Sequence, residues 1–80
     1  MSFNTWIDTL VDEKGYDLEH RFEVPGNNGV NSIPLGCVID GCKQTTADEQ
    51  AKIKTALVNL DFRGGDPLDY FAHLAKAIAR

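Results

Sequence analysis

The histidines, cysteines and serines of this 80-residue chain come two of each: His20 and His73, Cys37 and Cys42, and Ser2 and Ser32. A metal site needs several ligands converging, and neither histidine has a CxxC, an HxxxH or a carboxylate cluster near it. Ser2 stands at the chain end and Ser32 at a potential helix cap, so a Ser-His-Asp arrangement has poor raw material. A Cys37 or Cys42 nucleophile paired with His73 would first have to leave an apolar segment. Asp8 and Asp12, four residues apart, can place two carboxylates on one helical face, where a close pair divides general acid and base roles. That chemistry also needs a concave site, which a helical chain this short rarely builds, so a solvated acidic ridge is the expectation. No catalytic residue, metal or cofactor is expected, and the chain reads as non-enzymatic.

The glycine- and asparagine-rich stretch "VPGNNGVNSIPLG" could be a gripping loop or a corner. "GNNG" has the letters of the GxxG loop of KH domains, a resemblance that would imply a clamp on a nucleic acid backbone. That loop joins two helices in a basic setting, whereas Gly26 to Gly29 follow a strand-like segment and contain no Lys or Arg. Neither GxGxxG nor a P-loop signature is present. A corner is the better reading, with glycine and asparagine supplying positive φ angles and Asn31 or Ser32 capping the next helix. Asn27, Asn28 and Asn31 remain candidates for amide hydrogen bonds to a partner.

Arg63 precedes Gly64 and Gly65, and one such copy is not a nucleic-acid segment. Beside Phe62 or Tyr70, Arg63 fits the aromatic and arginine patches enriched at protein interfaces, and Tyr16 adds to that type of surface.

These residues must be held by a small number of elements. Phe3, Trp6, Ile7, Leu10 and Val11 recur at three- and four-residue steps, predicting a first helix capped by Ser2 or Asn4 and ended by Gly15, with Trp6 as a core anchor. Leu18, His20, Phe22 and Val24 then alternate with charged residues, predicting a strand that Pro25 halts. Its partner is expected either across "GNNG", at Val30 to Ser32, or in "LDFR", Leu60 to Arg63. A second helix is expected from Asn31 or Ser32, with Pro34 in its first turn and Gly36 and Gly41 allowing close packing. "TTADEQAKIKTALVNL" predicts a third helix with a Thr46 and Glu49 capping box, Ile53, Ala56, Leu57 and Leu60 inside, and Lys52 and Lys54 outside. In the last helix Asp66 is the N-cap and Pro67 the first residue. Asp69 lies at its positive end, Lys76 and Arg80 at its negative end, and Phe71, Leu74, Ala75 and Ile78 face the core. The fold class that results is mainly α: about four helices around one core with a small two-stranded β element, α+β being its neighbour.

Residues 1–80 read as one domain, because so short a chain buries only roughly 60 to 65 percent of its unfolded surface and cannot share that between two cores. Hydrophobic residues are 42% and charged residues 25%, the usage of a soluble globular domain. No apolar run approaches the ~18 to 20 residues that span a bilayer, and the first residues carry acids where a signal peptide carries bases, so a cytoplasmic location is expected. Both cysteines are expected to be reduced and buried.

The net charge is −4, and it is unevenly placed. Residues 1–24 hold six acids against two bases, which accounts for all of it, and the rest of the chain has six of each sign. An acidic lobe repels nucleic acid and favours a basic partner surface. The expectation is therefore a small acidic protein-binding module, an accessory subunit or inhibitor of a larger protein with a basic surface. In size and charge alone it is similar to small acidic inhibitors of phages and plasmids. Asp8, Asp12, Glu13, Tyr16, Asn27, Asn28, Arg63 and Tyr70 are its candidate partner-binding residues. One alternative is a homo-oligomer in which the apolar faces of the second and fourth helices meet across a two-fold interface. Another is a small nucleic-acid-binding domain that uses the GNNG loop.

Overall fold

The computed structural model describes residues 2–78 of the chain, so the expected placement of Arg80 lies outside the described residues. Among them are four helices and one antiparallel hairpin: α1 (Phe3–Lys14), β1 (Arg21–Gly26), β2 (Gly29–Pro34), α2 (Leu35–Lys43), α3 (Ala47–Phe62) and α4 (Pro67–Ile78). No helix among them is long and apolar enough to cross a membrane.

Each boundary has a local cause. The Ser2 hydroxyl accepts from the Thr5 N–H at 3.2 Å to open α1. Gly15, at φ 73°, closes it by sending its N–H to the Asp12 carbonyl, while Tyr16 N–H goes to the Val11 carbonyl. Thr46 accepts from the Glu49 N–H at 3.3 Å to start α3. An Asp66 carboxylate oxygen accepts from the Leu68 N–H at 3.0 Å, and Pro67 fills the first position of α4, where its missing N–H costs nothing.

The hairpin departs from its expected form in three ways, and its partner strand is the first of the two expected. Leu18 and His20 lie outside β1, because the Asp17 carbonyl and carboxylate turn the chain by accepting from His20 N–H and Glu19 N–H, each at 3.0 Å. Pro25 does not halt the ladder: it pairs with Val30, at a position that tolerates proline only if the missing N–H would have pointed away from the partner strand. Only Gly29, at φ 119°, takes a positive φ in the reversal, and Asn27 and Asn28 do not. The paired segment across "GNNG" is the partner, whereas "LDFR" ends α3 in helical form, with Arg63 as its C-cap.

α2 also starts later than expected. The ladder runs through Ile33 opposite Phe22 and Pro34 opposite Arg21, so Asn31 and Ser32 are strand residues and Pro34 is the N-cap. Leu35 N–H then donates to the His20 carbonyl at 2.7 Å and Gly36 N–H to that of Leu18 at 2.9 Å, which ties the start of α2 to the turn before the hairpin.

The core joins all six elements. Ile7 and Val11 of α1, Phe22 and Val24 of β1, Leu35, Val38, Ile39 and Cys42 of α2, Ile53 and Leu57 of α3, and Phe71 and Ala75 of α4 are buried, with Ile33 of β2 half-buried against them. Trp6 is at the edge rather than the centre: it is half-buried, tilted against Phe3 at 5.9 Å between ring centroids, with the Lys54 ammonium 5.4 Å from its ring. Gly41 provides the close approach expected of it, since a Cβ there would meet Ile78 Cδ1 at 2.6 Å. Ile78 itself stays exposed.

Candidate interaction surfaces

The eight residues singled out from the sequence fall in four places. At one end of the molecule the C-termini of α1 and α3 meet the start of α4, and Glu13, Tyr16 and Arg63 belong to the chain segments that meet there. Lys14 donates to the Asp61 carboxylate there, and the Tyr16 hydroxyl donates to Asp66. Burial, followed by the hydrogen bond to Asp66, pushes the Tyr16 hydroxyl up to about 12. The same bond, with that from Leu68 N–H, holds Asp66 below the ordinary carboxylate value, and the hydrogen bond to Asp61 raises Lys14. Arg63 is exposed at the end of α3, and Phe62 beside it is 90% exposed.

Tyr16 therefore works first as a clamp between α1 and α4. Tyr16→Phe should lower stability by about 0.5–1.5 kcal/mol, the usual net worth of one hydrogen bond, read as a shift of the urea midpoint with an unchanged slope. Because Asp66 is held low in the folded state, its share of that stability is present above the ordinary carboxylate value and is lost as pH falls from there through the lowered folded value.

The second place is the outer side of α1. Lys43 Nζ donates to Asp8 at 2.7 Å and ties α1 to the end of α2, so Asp8 is neutralised locally. Asp12 is exposed and has no ion-pair partner among the described residues. Neither acid is in the lining of two concavities elsewhere on the surface, an open one of about 430 Å³ along α3, at Ala51, Lys52, Thr55, Ala56 and Asn59, and one of about 330 Å³ between α2, α3 and α4.

The third place is the hairpin tip, where Asn27 and Asn28 are exposed next to Val30, which is itself 71% exposed. The Asn31 amide folds back over Gly26, leaving no room for a Cβ there. In the fourth place, Tyr70 is half-buried and lines the smaller hollow with Cys42, Thr45, Glu49, Ile53 and Leu74, rather than joining Arg63. Burial, then the neighbouring Cys42 and Glu49, raises its hydroxyl.

The cysteines also part company. Cys42 is buried as expected, and burial pushes its thiol up to about 11, whereas Cys37 is exposed, which corrects the expectation of two buried thiols. His73 and His20 are both exposed, the latter packed edge-on to Phe22 at 5.0 Å between centroids.

Sequence reading missed the outer face of α3. Ala51, Thr55, Val58 and Phe62 follow one another at steps of four, three and four and are all exposed, opposite the buried Ile53 and Leu57. The signal was available in the spacing, since two apolar stripes run along one helix.

Comparison of the chain with protein-family models, curated proteins and solved structures finds no match.

Proposed function

We propose that this chain is a non-enzymatic protein-binding module that docks on a larger protein with a basic surface, as an accessory subunit or inhibitor. A cytoplasmic setting and a phage- or plasmid-type inhibitory role belong to the same proposal. The observation that carries it is the state of the acids in the first 24 residues. Only Asp8 is in an ion pair among the described residues, while Asp12, Glu13, Asp17, Glu19 and Glu23 face solvent. Unneutralised charge of one sign raises the rate at which an oppositely charged surface is found, and leaves affinity to apolar anchors made after contact. Exposed Leu18, in the turn that carries Asp17 and Glu19, and Val30 on the hairpin are such anchors.

Capture of complexes from cell extract, with and without nuclease and at two salt concentrations, identifies the partner. With that partner, Asp12→Asn combined with Glu13→Gln should slow association several-fold at low salt and flatten its salt dependence, as expected when steering charge is removed. Asp8→Asn should do less, because Lys43 already neutralises that carboxylate. Equal kinetics for wild type and the double variant at low salt would overturn the reading. Recovery only of nuclease-sensitive material would turn attention to the loop at Asn27 and Asn28.

A further inference from the structure

α3 buries Ile53 and Leu57 toward the core and turns Ala51, Thr55, Val58 and Phe62 outward, with Val58 48% and Phe62 90% exposed. Steps of four, three and four are the seam spacing of two packed helices, and a helix that is apolar on both sides is one built to be covered on both. We propose that a second copy of this chain covers that face, α3 against α3, antiparallel about a two-fold axis midway along the seam. This inference is independent of the docking role proposed above, which uses other residues.

The first reason is shape. Phe62 is the one large side chain of the seam and stands at its end. The open hollow of about 430 Å³, at Ala51, Lys52, Thr55, Ala56 and Asn59, occupies the earlier part of the helix. Phe62 and Ala51 are about 16 Å apart along the axis at 1.5 Å per residue. An antiparallel two-fold pairing sets Phe62 of each copy opposite Ala51 of the other, beside Thr55 and under the Lys52 ammonium, and sets Val58 opposite Thr55. One symmetry operation thus seats both rings on the shallow surface at Ala51 and Thr55, as an isologous interface requires. A parallel pairing would put Phe62 against Phe62 and Ala51 against Ala51, leaving one end crowded and the other empty.

The second reason is charge. The same antiparallel register brings Arg63 of one copy next to Asp48 of the other, a pair of opposite sign that occurs twice by symmetry. Arg63 and Asp48 are in no ion pair among the described residues. In a parallel dimer Asp48 would instead face its own copy. This register is preferred to one between the α2 and α4 faces, because Leu35, Val38, Ile39 and Cys42 of α2 and Phe71 and Ala75 of α4 are already buried in the monomer core.

Sedimentation equilibrium from micromolar to millimolar concentration tests the proposal. The expected result is a mass that rises from one chain toward two. Phe62→Asp should hold the chain monomeric throughout, with an unchanged melting curve, since the ring is outside the core. Arg63→Asp and Asp48→Arg should each weaken association about tenfold, by turning two attractions into two repulsions. Combining them should restore it, and a merely structural loss at either site would not be restored. A monomer at every concentration, or a dimer indifferent to Phe62→Asp and to the charge exchange, would overturn the proposal.

Discussion

Phe71→Ala should leave a chain with little cooperative unfolding near body temperature, whereas Phe62→Ala, the same deletion of atoms nine residues earlier, should leave the melting curve within a degree or two. Phe71 is 0% exposed and heads the fully buried side chains, while Phe62 is 90% exposed. α4, which carries Phe71, packs against α2, α3 and β1, so removing the ring opens a void that several elements line at once. Burying a phenylalanine and then truncating it costs about 3–5 kcal/mol, and the surrounding side chains recover little of that by relaxing. A chain of this length has only about 4–12 kcal/mol in total. At about 4–8 °C per kcal/mol, the expected loss in melting temperature exceeds about 12 °C for Phe71→Ala. Thermal unfolding followed by circular dichroism decides the matter. A Phe71→Ala protein melting within a few degrees of the parent would mean that the core is not organised around α4.

The features of this fold that are legible in the sequence are those with causes within four residues. Ser2, Gly15, Thr46 and the Asp66–Pro67 pair mark helix ends through hydrogen bonds made to their own neighbours, and each stands where those residue types predict. "VNSIPLG" failed for the opposite reason. Pro34 satisfies the local rule for a helix start at Asn31 or Ser32, yet pairing of Ile33 with Phe22 and Pro34 with Arg21 holds the chain extended until Leu35. Leu18 has the right period for β1 and is excluded by the Asp17 turn, which alternation does not register.

The same distinction governs the surface. Tyr16 was visible as an exposed-type aromatic, but its partner Asp66 is 50 residues away, and the Lys14 and Asp61 bridge spans 47. No spacing rule reaches those pairings, and they convert two apparent surface residues into ties between α1 and the far half of the chain. Cys37 and Cys42 could have been separated beforehand. Five residues at 100° each put them on different faces of a helix, so one core cannot take both. In α3 the adjacency of Leu57 and Val58 hides two stripes inside what reads as one.

That separation of the two thiols gives the other large expected effect. An aromatic disulfide reagent at mildly alkaline pH should modify one thiol of the native protein at once and the second at least ~100-fold more slowly. Cys37 is exposed, whereas Cys42 is 2% exposed and its thiol is pushed up to about 11 by burial. Burial acts twice on Cys42, keeping its thiol protonated near pH 8 and closing it off from the reagent, and the two effects multiply. Cys37→Ser should remove the fast phase only, and denaturant should bring the slow thiol to the rate of the fast one, because reaction then no longer waits on opening of the core. The linkage runs in a definite direction. Folded Cys42 keeps its proton to a higher pH than the unfolded chain does, so its contribution to stability is full below pH 9 and is lost as pH rises toward 11. Tyr16, held up to about 12 by burial and by its bond to Asp66, pulls in the same direction above pH 10. The melting temperature should therefore fall across pH 9–11 with wild type and fall less with Cys42→Ala at its own lower starting stability. Two thiols reacting at one rate in the native state would remove Cys42 from the core and, with it, the packing of α2 against α3 and α4.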